Sequence, residues 1–373
     1  MERIKTVGLI INPVAGIGGP AGLKGSDGEQ IQKIALQRGS VRQSGKRAET
    51  ALNQIKGCAE NIRILCAPGE MGEEILRNSG FSYRVAGTTG EITVPEDTER
   101  IAAQMKDSVD ILLFAGGDGT ARNIYNAVGD SVPVIGIPAG VKIHSGVFAI
   151  NPSAAGKVLE AFITASKISC RMAEVIDLDE EQYREGRIGD TLYGYMPVPS
   201  IGAGMQNPKA ASHNGENDLE GICAEIRDMM AQQPGDTVYI MGAGSTVQAV
   251  ESFLGIDGTL LGLDVLKDGK LIAKDVTAEE LVKITASEKC RLILTAIGGQ
   301  GHIFGRGNQQ LKPDVIRNIG IDNIWIVAAA SKIYSLPQQT LLVDTGDAAL
   351  DEQLAGYHQV IVGWQERLVC RVM

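Results

Sequence analysis

The chain has 373 residues, of which 44% are hydrophobic, and its formal net charge is −10. This length allows two domains with a core each, and the negative charge argues against nucleic acid and anionic membrane surfaces as partners. Six scattered cysteines without a C-x-x-C pair and an N-terminus without a signal peptide predict a cytoplasmic protein with free thiols. No apolar run approaches the ~20 residues of a membrane span.

The first predicted strand, residues 7–11, ends at Asn12 and leads into a loop rich in glycine and proline. Loops of this kind and length are usually mobile or functional. Lys24, Lys46 and Arg47 lie near this loop and are possible sources of positive charge. Solvated surface is the better interpretation for all three.

Apolar strands alternate with helices over residues 1–165, which predicts a doubly wound parallel sheet, hence an α/β fold. Ligands of such sheets bind at the carboxyl ends of the strands. Three glycine loops follow three separate strands and belong at that edge. These loops cover residues 12–19, 116–120 and 138–140.

The stretch 110–128 organises this first half, because a buried strand turns through glycines into a helix. Thr120 is the predicted N-cap of that helix. The glycines let backbone amides approach a phosphate, and the helix start adds partial positive charge. Asp118 would repel a phosphate, so we interpret it as a proton acceptor for an attacking hydroxyl or as a Mg²⁺ ligand. The structural alternative is that Asp118 only caps the helix.

The sequence Gly-Gly-Asp-Gly-Thr after an apolar strand resembles the signature of the NAD kinase and diacylglycerol/sphingosine kinase superfamily. The blocks at residues 12–19, 138–142 and 298–310 extend this resemblance over most of the chain. They are similar to the ATP-NAD kinase-like branch, which includes the acetoin-catabolism X proteins. The resemblance implies Mg²⁺-dependent phosphate transfer from ATP, or from polyphosphate, to the ribose 2′-hydroxyl of NAD, giving NADP. It also implies a homodimer or higher homo-oligomer.

On this basis we predict Asp118 as the catalytic residue. The predicted nucleotide and phosphate contacts are Asn12, Gly16, Gly18, Gly19, Gly116, Gly117, Gly119, Thr120, Lys142 and His144. Lys142 and His144 directly follow the third glycine loop. A helix-start lysine and a satisfied core histidine explain these two residues equally well.

The second half contains another strand–glycine–helix unit and a late block with five glycines among polar side chains. The first is a possible anion site, although the third glycine of a dinucleotide fingerprint is absent. In the late block, Arg306 has the geometry to hold a phosphate through two hydrogen bonds; the alternative is an unusually polar inter-domain turn. The predicted substrate contacts are Gly242, Gly244, Ser245, Gly299, Gln300, His302, Arg306, Asn308 and Gln309.

We predict three segments: a nucleotide-binding domain at residues 1–167, a second α+β domain at 168–325, and a C-terminal segment, 326–373, that returns to the first domain. A cleft is expected between the two domains. Familiar NAD kinases carry an adjacent Asn-Glu/Asp pair that contacts the nicotinamide ribose. Here the pair Asn217-Asp218 lies far downstream in a predicted loop, which leaves NAD as the acceptor open.

Two other functions compete with an NAD kinase. A nucleotide-binding regulator or accessory protein, of the acetoin-catabolism type, needs the glycine loops but not Asp118. A lipid kinase needs an apolar acceptor pocket and a basic or amphipathic surface that faces the membrane. A sequence pI near 5.1 and the lack of a basic amphipathic stretch count against the lipid kinase.

Overall fold

A computed structural model describes residues 4–23, 28–90, 92–140, 143–165, 168–178, 190–200, 205, 216–297 and 301–373. The chain forms two compact units. The first contains Met1–Ile17, Gly25–Gly28 and Val41–Pro208, and the second contains Gly18–Lys24, Glu29–Ser40 and Lys209–Met373. No helix in the described ranges is long and apolar enough to cross a membrane.

Helices and strands alternate along most of this chain. The strands are β1 (Lys5–Ile11), β2 (Ile62–Cys66), β3 (Tyr83–Val85), β4 (Ile111–Gly116), β5 (Val134–Pro138), β6 (Cys170–Leu178), β7 (Asp190–Pro199), β8 (Val238–Met241), β9 (Asp264–Lys267), β10 (Lys270–Ala273), β11 (Cys290–Thr295), β12 (Ile324–Val327), β13 (Thr340–Leu341), β14 (Gly356–Gly363) and β15 (Glu366–Val372). The α-helices are α1 (Glu29–Gln37), α2 (Ser44–Gln54), α3 (Glu73–Leu76), α4 (Pro95–Met105), α5 (Asp118–Val128), α6 (Pro152–Thr164), α7 (Glu216–Ala231), α8 (Ser245–Phe253), α9 (Ala278–Ser287), α10 (Pro313–Ile319), α11 (Ala330–Ser335) and α12 (Ala348–Leu354).

The first unit is built on a five-stranded parallel sheet in the order β3-β2-β1-β4-β5. Successive residues of β4 enter two different cores, because strand side chains alternate between the two faces. Leu113 packs with α2 and α6, whereas Phe114 packs with α4 and α5. The predicted doubly wound parallel sheet is therefore confirmed. Its strand order reverses between β1 and β4, the point where such sheets bind ligands.

The antiparallel hairpin β6–β7 also belongs to the first unit. It packs on α5 so closely that a Cβ on Gly194 would lie 2.2 Å from the ring of Tyr125. The sequence prediction instead assigned residues 168–199 to the second domain. A change of composition near residue 168 indicated a boundary, but only the contact with α5 shows which core the hairpin completes.

The second unit contains an eight-stranded mixed sheet in the order β10-β9-β8-β11-β12-β14-β15-β13. The four strands β8, β11, β12 and β14 are parallel neighbours. Helices α9, α10 and α12 cover one face of this sheet, and α7 and α8 cover the other. We predicted that residues 326–373 return to the first domain. In the structure β12 and β14 are interior strands of the second sheet, because their apolar side chains complete its two cores.

The second unit also includes residues 18–24 and α1, although the sequence prediction placed them in the first domain. The N–H of Ala278 donates to the carbonyl of Pro20 (3.1 Å), and the guanidinium of Arg38 donates to the carbonyl of Ala21 (2.9 Å). A Cβ on Gly39 would collide with the carboxylate of Glu279. This segment therefore packs against the start of α9.

Candidate functional site

The loops after β1 and β4 are joined by hydrogen bonds at the switch point of the first sheet. The N–H of Asn12 donates to the carbonyl of Ala115 (2.9 Å), and its side-chain amide donates to the hydroxyl of Thr120 (3.0 Å). Its side-chain oxygen also accepts the N–H of Val14 (3.2 Å). The side chain of Asn12 is thereby held between its own loop and the first turn of α5.

The loop after β5 closes on the same edge. The N–H groups of Ala139 and Gly140 donate to the carbonyl of Gly116, at 2.8 and 3.0 Å. Gly16 has a φ of +77°, and a Cβ there would lie 2.1 Å from the carbonyl oxygen of Ala139. The close approach of the first and third loops therefore requires glycine at this position. The structure thus brings together parts of all three glycine loops in the first unit.

Helix α2 supports these loops through two residues that the sequence prediction did not use as site residues. The hydroxyl of Ser44 donates to the carbonyl of Ala15 (3.1 Å), and the guanidinium of Arg47 donates to the carbonyl of Pro138. Arg47 was interpreted as solvated surface. Its half-buried position depends on the packing of α2 beneath the loops, for which the local sequence carries no signal.

Helix α5 begins at Asp118, and Gly117 is its N-cap. The prediction of Thr120 as N-cap was wrong, since Thr120 lies inside the first turn and its hydroxyl accepts the amide of Asn12. Gly117 has no side chain that could cap this helix, and helix starts without a side-chain cap are common anion sites. A Cβ on Gly116 would lie 2.3 Å from the hydroxyl of Thr120, whereas one on Gly119 would meet nothing within 4 Å.

Asp118 is 5% exposed, and its carboxylate turns away from its own helix. One carboxylate oxygen accepts the N–H (3.0 Å) and the hydroxyl (2.7 Å) of Ser145, and the other accepts the N–H of His144 (2.8 Å). The Ser145 hydroxyl also accepts the N–H of Ile176 in β6 (3.0 Å). Asp118 is therefore not a helix cap but the anchor of a distant loop. Sequence spacing did not indicate Ser145, because its link to Asp118 exists only in the fold.

His144 lies next to this carboxylate. Its ring Nδ1 is 3.9 Å from the nearer oxygen of Asp118, a distance at which a protonated imidazole forms an ion pair. The neighbouring Lys142, predicted as a phosphate or ribose contact, lies outside the described residues. The arrangement of His144 and Asp118 is thus a buried acid beside a half-buried base.

Magnesium is the metal that the sequence resemblance implies. No group of three or more His, Cys, Asp or Glu side chains in the described ranges has a geometry that holds a metal ion. Mg²⁺ usually binds through one or two carboxylates together with substrate phosphates and water. The residues present therefore fit an ion that the phosphates of a nucleotide hold, and they do not fit a protein-built metal cage.

The second strand–glycine–helix unit has the geometry that its sequence predicts. The N–H of Gly242 donates to the carbonyl of Ile293 (2.8 Å), and a Cβ on Gly242 would lie 2.9 Å from that oxygen. Gly244 has a φ of +124° and is the N-cap of α8, which begins at Ser245 without a side-chain cap. These residues belong to the second unit, whereas Asp118 belongs to the first.

The described part of the late glycine block, residues 301–310, belongs to the second unit. His302, Arg306, Asn308 and Gln310 are all buried. The side chain of Asn308 accepts the N–H of Gly305 (3.1 Å) and donates to the carbonyl of Ile303 (2.9 Å). Asn308 therefore stabilises its own loop, which is a structural role that the sequence prediction did not consider.

The remaining predicted contacts are divided between the two units. A Cβ on Gly19 would lie 3.0 Å from Gln309, so these two predicted residues meet within the second unit, to which Gly18 also belongs. Gly299 and Gln300 lie outside the described residues, and so does the side chain of Asn217.

Two family models match this chain. Residues 7–168 match the ATP-NAD kinase N-terminal domain, and residues 235–372 match the ATP-NAD kinase C-terminal domain. Together they cover most of the chain, which therefore belongs to the ATP-NAD kinase family. The two matched domains are the N-terminal and C-terminal domains of that family.

Solved structures include two distant matches from Bacillus anthracis str. Sterne. One is described as a diacylglycerol kinase (13% identity) and the other as a putative diacylglycerol kinase (12% identity), each with a TM-score of 0.24. Each alignment covers 52% of this chain, and 61% and 64% of the two solved chains, respectively. The match thus spans less than two thirds of either structure. No match was found among curated proteins.

Proposed function

We propose that this protein transfers a phosphate group from ATP, or from polyphosphate, to the ribose 2′-hydroxyl of NAD, giving NADP. The observation that carries this proposal is the buried Asp118 at the uncapped start of α5, where Asn12 and Thr120 join two glycine loops. Membership of the ATP-NAD kinase family supports the choice of donor and acceptor.

In this proposal the phosphates of the donor bind at the start of α5. The amides of Gly117, Gly119 and Thr120 donate to these phosphates, as at other helix starts that bind phosphate. Gly116 keeps the turn compact because its carbonyl accepts the two N–H groups of the loop after β5. Mg²⁺ held by the donor phosphates would offset part of their negative charge.

Asp118 accepts the proton of the acceptor hydroxyl. The hydroxyl oxygen forms a bond to the terminal phosphorus of the donor, and the bond from that phosphorus to the bridging oxygen breaks, which leaves ADP or a shortened polyphosphate. The hydrogen bonds from His144 and Ser145 fix the carboxylate in one orientation. A fixed base lowers the entropic cost of reaching the reactive geometry.

A nucleotide-binding regulator is the second candidate, and one observation favours it. Three described donors already occupy the carboxylate of Asp118, which has about four acceptor positions. A carboxylate used in this way is sufficient to hold the loop at residues 143–145, without any proton transfer. In this case Asp118 is a positioning residue, and the glycine loops bind a nucleotide that the protein does not convert.

A comparison of Asp118→Asn with Ser145→Ala separates the two functions. Each variant weakens the same hydrogen-bond cluster, but only the first removes the proton acceptor. We expect NADP formation from NAD, Mg²⁺ and ATP or polyphosphate to fall at least about a hundredfold in Asp118→Asn. Ser145→Ala should unfold about 1–3 kcal/mol more easily and keep most of the turnover.

Equal losses of turnover in these two variants would show that Asp118 acts only through the loop that it anchors. Absence of NADP formation by the wild type, together with nucleotide binding in calorimetry, would favour the regulator or a different acceptor. Absence of both turnover and binding would contradict the phosphate site itself.

We also propose a cytoplasmic location, because the scattered cysteines fit free thiols, and a homo-oligomer, most simply a homodimer, as the family resemblance implies. Light scattering after size-exclusion chromatography tests the oligomeric state. The roles of Gly18, Gly19 and the late glycine block in substrate binding remain proposals as well. Their test is a Gln309→Ala variant, which should raise KM for one substrate without lowering kcat.

A further inference from the structure

The second unit has its own edge at which parallel strands end. Strands β8, β11 and β12 are parallel neighbours, and their carboxyl ends meet at this edge. The turn after β8 passes through Gly244 into the nine-residue helix α8, whose start has no side-chain cap. The first amides of such a helix lack partners and carry partial positive charge. By itself this is a common feature of α/β folds.

Thr295, the last residue of β11, adds a donor beside this helix start. It is 2% exposed, and its hydroxyl has no hydrogen-bond partner in the described part of the chain. Its side chain packs against the N-cap, since a Cβ on Gly244 would lie 2.6 Å from Cγ2 of Thr295. A buried hydroxyl without a partner costs about 1–3 kcal/mol. This cost is explained if the hydroxyl donates to a ligand.

Lys332, in α11, adds a cation at the same edge. Its ammonium donates to the carbonyl of Ala296, the residue after Thr295. The residue as a whole is half-buried, but burial of its charged end lowers the pKa of Lys332 to about 8, and no other charged group contributes to this shift. No carboxylate of the described residues forms an ion pair with Lys332. A desolvated cation without a counter-ion is unfavourable unless an anion binds beside it.

We propose that the start of α8, Thr295 and Lys332 form a second anion site, which binds the phosphate group of a phosphorylated small molecule. Backbone amides, a hydroxyl and an ammonium are three kinds of donor from three separate elements. This set matches a tetrahedral phosphate, whose oxygens accept hydrogen bonds in several directions. The site goes beyond the proposed phosphotransfer, because it uses neither Asp118 nor the glycine loops of the first unit.

The variants Lys332→Met and Thr295→Val test the site in the full chain, with inorganic phosphate as the probe. Thr295→Val removes a buried hydroxyl without a hydrogen-bond partner, and Lys332→Met removes a buried cation without a counter-ion. Each variant should therefore fold and have an equal or higher Tm without phosphate. Phosphate should raise the Tm of the wild type more than that of either variant, and its affinity measured by calorimetry should fall about tenfold or more. The matched control is Lys270→Met at an exposed lysine, which should behave as the wild type does.

Labelling with an amine-acylating reagent at about pH 8 shows whether phosphate binds at Lys332, because a lysine with a lowered pKa is more often unprotonated and reactive. Mass spectrometry of the labelled chain should show that phosphate protects Lys332 but not Lys270, and that acetate protects neither. Equal protection by acetate would overturn the assignment to phosphate. An equal response of the wild type and Lys332→Met to phosphate, with no protection of Lys332, would overturn the site.

These outcomes are independent of phosphotransfer. If Asp118→Asn and the wild type both form no NADP while phosphate protects Lys332, the proposed function fails and the second site remains. If turnover depends on Asp118 but phosphate does not protect Lys332, the proposed function stands and the second site fails.

Discussion

Gly116 ends β4 and Gly119 lies in the first turn of α5, three residues later, and the two have opposite surroundings. A Cβ on Gly116 would lie 2.3 Å from the buried hydroxyl of Thr120, whereas a Cβ on Gly119 would meet nothing within 4 Å. We expect Gly116→Ala to lower the free energy of unfolding by about 1–3 kcal/mol, because the turn has no room for a methyl group. Gly119→Ala should be neutral or slightly stabilising, since alanine favours a helix.

Chemical denaturation of the two glycine variants measures this difference. Equal stabilities would mean that Thr120 moves aside without cost and that the packing of Asn12, Thr120 and Gly116 is not tight. Nucleotide binding, measured in the same samples, should weaken in Gly116→Ala, because the displaced Thr120 no longer holds Asn12.

Glu251 predicts a pH dependence of stability. It is 1% exposed, and burial, followed by the negative charge of Asp264, raises the pKa of Glu251 from 4.5 to about 8. The folded protein therefore keeps a proton that the unfolded chain releases above its own pKa of 4.5. Because the folded state binds more protons, its stability falls as the pH rises from about 4.5 to about 8.

Glu251→Gln removes this titration while it conserves the shape of the side chain. Relative to the wild type, this variant should gain stability as the pH rises, by an amount on the order of a few kcal/mol above pH 8. Denaturation curves at several pH values measure the gain. If the free energies of unfolding of the two proteins changed with pH in the same way, Glu251 would not be protonated in the folded state.

At the scale of elements, the crossing of α2 and α6 depends on a glycine. A Cβ on Gly156 of α6 would lie 2.2 Å from the carbonyl oxygen of Ala51 and 2.7 Å from the side chain of Gln54 in α2. Gly156→Ala should destabilise the first unit by about 1 kcal/mol or more, because steric overlap exceeds the gain of about 1 kcal/mol in helix propensity. Calorimetric unfolding measures this loss.

Gly57 is the control for the helix crossing, since a Cβ there would meet nothing within 4 Å. Gly57→Ala should leave the Tm unchanged or raise it slightly, because alanine restricts the unfolded chain. If Gly156→Ala were as stable as Gly57→Ala, the two helices would not be in tight contact.

Elements such as β4 and α5 were predictable from local pattern alone. Apolar runs and helical spacing are local signals. The start of α5 was predicted three residues too late, at Thr120 instead of Gly117, because Thr120 is a favoured cap in isolation. The side chain of Asn12 uses the Thr120 hydroxyl instead, which is a tertiary contact.

At the scale of the molecule, residues 18–24 and 29–40 of the N-terminal segment 18–40 belong to the second unit, although the chain before and after this segment belongs to the first. A fragment of residues 209–373 lacks this segment and its hydrogen bond from Ala278 to Pro20. We expect this fragment to melt at a lower temperature than the second unit does in the whole chain. Joining residues 18–40 to the fragment through a flexible linker should restore part of the Tm. Calorimetry measures the Tm of the two fragments. Equal Tm values with and without residues 18–40 would show that this segment contributes little to the stability of the second unit.

By itself the sequence determined the parallel sheet of the first half, its three glycine loops and the carboxylate among them. It also indicated the second strand–glycine–helix unit, because each of these features depends on neighbouring residues. Only the tertiary structure decided that α1 and the last strands belong to the second unit, that Ser145 holds Asp118, and that Thr295 and Lys332 lie at one edge. The residues that meet in each of these contacts are far apart in the chain. Packing brings them together through shape and burial, which local sequence pattern does not encode.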